Sequence, residues 1–269
     1  MNEDLSLQSE DVKLILLICG DSQTGKKTIV KSIINNRQYT KKEYSTYKSY
    51  FFKHEEVIRK SIISIPVELR ILNSEELETK LKLNKAFFID ALGAFVVNSI
   101  IDKNSFINGE KWKDKLDLMC CLPNRYPLPI FLLVNKCDQF NENEEEKDNE
   151  DNLNKDKIET YSMQNQFFNT FLLGLGKNND NNDNLINTDI IEENKINVEN
   201  NNINEEEENI KIKDLIVSPI IPFEEMIKIL IGFKEIRNEF IVQSGGVIND
   251  NENVENTQNK NKNKKCILI

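Results

Sequence analysis

One histidine, one tryptophan and nine glycines in 269 residues leave several common chemistries without their material. His54 alone cannot build a zinc site or a hydrolytic triad, each of which needs further partners of the right type. The five cysteines show no C-x-x-C spacing, which removes a zinc ribbon and a dithiol redox motif. The apolar run Leu14 to Cys19 is too short for a signal peptide or a membrane span, and the residues before it are polar and acidic. A reduced, cytosolic protein is expected.

What is abundant is charge, and it is unevenly placed. The net charge is −10. The tract 141–210 alone holds 19 acidic and 5 basic residues, with runs such as "GKNNDNNDNLINTD" and "NEEEEN". Sequence this polar buries too little apolar surface to offset its ordering entropy, so most of the tract reads as disordered insertion. The remainder is mildly basic, and about 170 residues are left for one compact domain with its own core. The acidity therefore belongs to the insertion and gives no reason to expect a nucleic-acid partner.

The expected organisation has five parts. They are an N-terminal tail (1–11), the first part of the domain (12–139) and acidic Asn-rich insertions (140–211) around one helix at about 155–175. The last strand and helix (212–243) and a disordered basic tail (244–269) complete it. The runs at 12–20, 91–100 and 128–135 read as buried parallel strands, and "SYFFKHEEVIRK" with "SIPVELRIL" as a hairpin. "KKTIVKSIINN", "NGEKWKDKLDLMCC" and "PFEEMIKILIGFKEIRNEFIV" have helical spacing. Trp112 and Leu116 on the second of these read as core. "KDLIVS" reads as a last strand. Strands alternating with helices predict an α/β fold, a mostly parallel sheet with one antiparallel edge strand and helices on both faces. Ligands of such sheets bind at the carboxyl ends of the strands.

Two motifs fall at such ends. "GDSQTGKKT" places Gly20, Ser22, Gln23, Thr24, Gly25 and Lys26 between a strand and a helix. This is the context of a phosphate-binding P-loop, G-x-x-x-x-G-K-[ST], where backbone N–H groups meet phosphate at a helix N-terminus. Lys27 stands where that pattern has its hydroxyl, and Thr28 follows one residue late. "NKCD" supplies Asn135, Lys136 and Asp138 directly after an apolar run. In an N-K-x-D site the carboxylate accepts from the guanine N1–H and amine, a donor pair that adenine lacks.

Between these motifs the chain resembles a known family. From Val67 to Gln139, "DALGAFVVNSIIDKNSF", "KWKDKLD", "LPNRYPLP" and "VNKCDQ" are similar to the Rab branch of the Ras-like small GTPases, nearest its subgroup numbered thirty-two and thirty-eight. The resemblance implies a P-loop small GTPase fold with GTP or GDP as ligand and a role in vesicle-mediated membrane trafficking.

The same resemblance marks departures. The family's D-x-x-G-Q segment falls on Asn73-Ser74-Glu75-Glu76-Leu77. Asn73 replaces an aspartate, Glu76 puts a negative charge where the γ-phosphate sits, and Leu77 cannot orient water. No catalytic residue is intact, so hydrolysis is expected to be weak or absent. Lys27 offers no oxygen to magnesium, which is therefore in doubt as a cofactor; Thr28 and Thr46 are the hydroxyls left to hold it. In the first switch, Ser45 or Thr46 is the family hydroxyl. The S-A-K motif is placed on Ser218-Pro219-Ile220, where Pro219 has no N–H to offer the base. The family's effector-contacting patch falls near Phe51, Leu72 and Phe87 or Phe88.

The C-terminus, "NKNKNKKCILI", has Cys266 four residues from the end behind a lysine cluster. It reads as a geranylgeranylation signal with a polybasic segment. The expected protein is a monomer on the cytoplasmic face of endomembranes and partly cytosolic, with protein effectors and exchange factors as partners. The competing reading is a pseudo-GTPase, a tethered interaction module with an empty pocket. An ATP-dependent kinase or ATPase is disfavoured by Asn135 and Asp138.

Overall fold

The computed structural model describes residues 13–58, 60–72, 85–140, 153–174, 212–233, 236–238 and 240. Asn73, Glu76, Leu77 and Cys266 lie outside the described residues, as do the basic tail and the 141–152 and 175–211 parts of the acidic tract.

Eight strands form one sheet. They are β1 (Leu14–Cys19), β2 (Tyr39–Glu43), β3 (Tyr47–Ile58), β4 (Ser61–Leu72), β5 (Ala91–Ser99), β6 (Ile130–Asn135), β7 (Asn169–Leu173) and β8 (Ile216–Val217). The spatial order is β2-β3-β4-β1-β5-β6-β7-β8. Only β3 runs against the rest, antiparallel to both β2 and β4, and every other neighbouring pair is parallel. This is the mostly parallel α/β sheet expected from the sequence, with β2 added outside the antiparallel strand.

Both faces are covered. Helices α1 (Lys26–Ile34) and α4 (Ile220–Gly232) pack on one side, α2 (Asn104–Met119) and α3 (Lys155–Gln164) on the other. Strand β5 shows the split through its side-chain alternation. A side chain at Gly93 would strike Met226 of α4, whereas Asn98, five positions on, lies against Gly109 of α2. Strands β1 and β6 are buried along their whole length, as central parallel strands must be. Pro222 sits in the first turn of α4, where its missing N–H costs no hydrogen bond. Trp112 and Leu116 are core residues.

Two elements differ from the sequence reading. The helix expected over 155–175 stops at Gln164, and Asn169–Leu173 is strand β7, paired with β6. The run "FFNTFLL" carries too many apolar residues in succession for a half-exposed helix, and aromatic residues suit a pleated surface. Gln166 turns the chain at φ 56°, and Phe167 is buried. The strand expected at "KDLIVS" is reduced to the two residues of β8, on the outer side of β7. Strand β2 had no signal, since all five of its residues are exposed. Its existence depends on the partner strand.

Candidate functional site

The phosphate loop joins β1 to α1. Gly20 at φ 130° and Gly25 at φ 94° occupy conformations that a side chain resists. Space forbids a substitution too: a Cβ at Gly20 would lie 2.2 Å from the Val97 carbonyl oxygen, and one at Gly25 would lie 2.1 Å from Nδ2 of Asn135. Gln23 also takes a left-handed conformation, at φ 61°. Thr24 is fully buried, and its hydroxyl donates to the Asp21 carbonyl oxygen at 3.0 Å. Ser22, Gln23, Lys27 and Thr28 are exposed at the loop's rim. The loop therefore presents backbone and short polar groups outward while its base is fixed.

Helix α1 starts at Lys26 with no acidic residue in its first turn and no side-chain cap. The Thr28 and Ile29 N–H groups both turn back to the Gly25 carbonyl oxygen, at 2.9 and 3.0 Å. The first N–H groups of a helix have no partner inside it, and the helix dipole adds positive potential there. Lys26 is 6% exposed, and its ammonium donates to the carbonyl oxygens of Gly20, at 2.8 Å, and Asp21. Burial pulls its pKa down to about 8, so the ammonium is poised to gain from an anion. Asp21 is held from the side, its carboxylate accepting from the Asn108 amide of α2 at 2.7 Å.

The N-K-x-D motif follows β6. Asn135 is buried, and its side-chain amide donates to the Thr24 carbonyl oxygen at 2.8 Å, while its own side-chain oxygen has no partner. This bond links two loops 111 positions apart in the chain. Lys136 turns the chain at φ 65°, and a short 3-10 turn at Cys137–Gln139 leaves Asp138 exposed. Gly174, the residue after β7, lies beside it, since a Cβ there would come within 3.1 Å of the Asp138 Cβ. Ser218 follows β8, one strand farther out, because Leu173 pairs with Val217.

Ser45 and Thr46 lie in the turn between β2 and β3, at the same end of the sheet as the carboxyl ends of β1 and β4, since Tyr47 pairs with Leu72. Ser45 is exposed; the Thr46 hydroxyl oxygen is buried without a hydrogen-bond partner. Tyr44 and Tyr47 stack at 4.4 Å across the turn. Of the patch expected to face effectors, Phe51 is half-buried, whereas Leu72, Phe87 and Phe88 are buried. Phe87 packs edge-on against both Tyr47 and Phe88. Behind them Arg70 pairs with Glu68 and donates to the carbonyl oxygens of Ala86, Phe87 and Ile89 at 2.9–3.1 Å.

Sequence reasoning placed the two loops correctly at strand ends but missed Asn108 and Gly174. Asn108 is an ordinary helix residue in the sequence; only the proximity of α2 to the loop gives it a role.

A glycine loop with a buried lysine, tied by an asparagine to an N-K-x-D turn at the carboxyl edge of a parallel sheet, has the layout of a P-loop guanine-nucleotide site. The Ras family pattern matches residues 13–181, well over half of the chain, and the chain belongs to that family. Within it the chain is similar to Rab proteins, among them members of the subgroup numbered thirty-two and thirty-eight. It is similar to Ras-related protein Rab-32 of Mus musculus, 40% identical over 74 residues that cover 28% of this chain and 33% of the relative. It is also similar to Ras-related protein Rab-7L1 of Homo sapiens, 27% identical over 143 residues covering 48% of this chain and 62% of the relative. Ras-related protein Rab-32A of Dictyostelium discoideum is 26% identical over 137 residues, 46% of this chain and 55% of the relative. The match thus spans less than two thirds of each of these relatives. Ser218 falls beyond the family match. Among the described residues no helix is long and apolar enough to cross a membrane.

Proposed function

We propose that this chain binds GTP and GDP, hydrolyses GTP weakly or not at all, and acts in membrane trafficking by recruiting protein partners. The observation that carries the binding reading is the Asn135–Thr24 bond, which sets the guanine and phosphate loops at a fixed spacing. Asp138 is exposed and free to meet a base edge, and Lys26 stands at the phosphate end. Weak hydrolysis rests on sequence: Asn73, Glu76 and Leu77 stand where the family has an aspartate, a glycine and a glutamine. Each loss removes a different part of water attack and γ-phosphate contact.

The end of the chain supports peripheral attachment. Cys266 in "CILI" suits a geranylgeranyl group, and one such chain needs the help of the preceding lysines to hold a membrane. The trafficking role and endomembrane location are proposed from the likeness to Rab proteins.

The second reading, a pseudo-GTPase with no bound nucleotide, is favoured by Lys26 lying on the carbonyl oxygens of its own loop and, in the sequence, by an acidic Glu76 standing where the family has a glycine. The experiment is to purify the protein, denature it, and identify released nucleotide by chromatography. Recovered GTP supports a slow switch held in its triphosphate form. GDP calls for a single-turnover assay to separate hydrolysis from diphosphate loading. A pocket that is empty and refuses added GTP and GDP establishes the second reading.

A further inference from the structure

Membership of the Ras family implies a magnesium ion beside the nucleotide phosphates, held in part by the hydroxyl that follows the P-loop lysine. The residues of this chain do not fit that ion. Lys27 occupies the hydroxyl's position and is exposed at the start of α1. An ammonium has three donors and no acceptor, so it offers magnesium nothing and repels it. Thr28 is one residue on, about 100° further round the helix. The only carboxylate of the loop, on Asp21, is engaged by Asn108. Thr46 has a partnerless hydroxyl oxygen, but magnesium demands a near-ideal octahedron of oxygens, usually with carboxylate help. Among the described residues no group of three His, Cys, Asp or Glu side chains converges on a metal position.

We propose that the site takes nucleotide phosphate without magnesium, the Lys27 ammonium supplying the countercharge the ion would have given. The proposal rests on the nucleotide-binding reading above. The geometry places the two lysines on different sides of the helix start. Lys26 is packed inside and bonded to the loop carbonyls, while Lys27 projects to solvent. A phosphate at the start of α1 would meet the backbone N–H groups that precede Thr28, the buried lysine from beneath and the exposed one from the rim. A four-carbon stem gives Lys27 the reach, and a compact ammonium acts as a point charge toward phosphate. The Asp21 carboxylate favours the Lys26 ammonium although Asn108 holds it toward α2, so the charge left facing the rim is that of Lys27.

The test is direct titration of the full-length protein with fluorescently labelled GDP and GTP, in magnesium and in excess EDTA. The wild type is expected to bind equally well in both, within about threefold. Lys27→Ala is expected to lose about tenfold or more in affinity in both conditions, the loss of one charge-assisted contact. Lys27→Ser restores the family hydroxyl and is expected to bind better in magnesium than in EDTA. Thermal unfolding of the nucleotide-free variants separates weak binding from failure to fold, and Lys27 is exposed, so little change in Tm is expected.

Wild-type binding that collapses on chelation overturns the proposal and leaves nucleotide binding standing. Lys27→Ala with wild-type affinity overturns it as well. A wild type that binds neither nucleotide in either condition overturns both the proposal and the reading beneath it.

Discussion

The Asn135 side-chain amide donates to the Thr24 carbonyl oxygen at 2.8 Å, joining the end of β6 to the middle of the phosphate loop. The strand between them, β5, separates β6 from β1 in the sheet. The bond spans that gap and closes the floor of the site. It also orients Asn135 so that its own side-chain oxygen remains unpaired.

Asn135→Asp replaces that donor with an acceptor, setting two oxygens against each other in a buried position. A stability loss of about 1–3 kcal/mol is expected, together with lower nucleotide retention. Urea unfolding and chromatography of released nucleotide check the two effects separately. Asn135→Asp with wild-type stability would show that the tether contributes nothing.

Lys26 gives the site a pH dependence. Burial lowers its pKa to about 8 in the nucleotide-free protein, and a phosphate beside it would raise that value again. Below about pH 8 the lysine is already charged, so affinity does not depend on its titration. As pH rises past that point, binding must draw a proton from solvent, and affinity is expected to fall by up to about tenfold per pH unit. Titrations with labelled GDP between pH 7 and 9.5 test this. Folding stability has the opposite sign: the unfolded lysine holds its proton longer, so this group makes stability rise with pH between about 8 and the unfolded value.

Arg70 holds the approach to β5 by donating to three backbone carbonyl oxygens, those of Ala86, Phe87 and Ile89. Burial disfavours ionised Glu68, but hydrogen bonds from Arg70, Lys13 and Ser49 outweigh it and hold the carboxyl below its usual range. Arg70→Met removes this donor from those carbonyls and the main counter-ion from Glu68, a loss of about 3–5 kcal/mol. Urea unfolding reads the difference. The Glu68 contribution is present at neutral pH and is lost as pH falls through its lowered pKa, so acid should narrow the gap between Arg70→Met and wild type.

The cysteines should differ in reactivity. Burial pushes the Cys120 and Cys137 thiols up to about 12 and raises Cys19 still further, whereas Cys121 is exposed. Maleimide labelling at pH 7.5, read by peptide mass spectrometry, is expected to modify Cys121 in the native protein. Cys19, Cys120 and Cys137 are expected to react only on unfolding. Rapid native labelling of Cys137 would mean that the N-K-x-D loop opens readily.

Much of the sheet was legible because its strands carry their own signal. "LILLIC" and "IFLLVN" are continuous apolar runs that end where a loop motif begins, and a buried parallel strand has no other composition available to it. The glycines of the phosphate loop were equally readable, because positive φ and close backbone approach at Gly20 and Gly25 restrict the residue type locally. The N-K-x-D turn was found by residue types at a fixed spacing.

Other features were decided only by tertiary structure. "FFNTFLL" reads in the sequence as the continuation of a helix, and pairing with the open edge of β6 made it β7. That placed Gly174 beside Asp138 and moved Ser218 out past β8, a relation no local pattern contains. The exposed strand β2 exists because β3 offers it backbone partners, not because its own residues favour it. The Asn108–Asp21 and Asn135–Thr24 bonds each join residues roughly a hundred positions apart. Local sequence determines what each loop can do, since backbone sterics and side-chain chemistry act within a few residues. Which loops meet, and at what spacing, is determined by strand order, because hydrogen-bond partners in a parallel sheet come from distant parts of the chain.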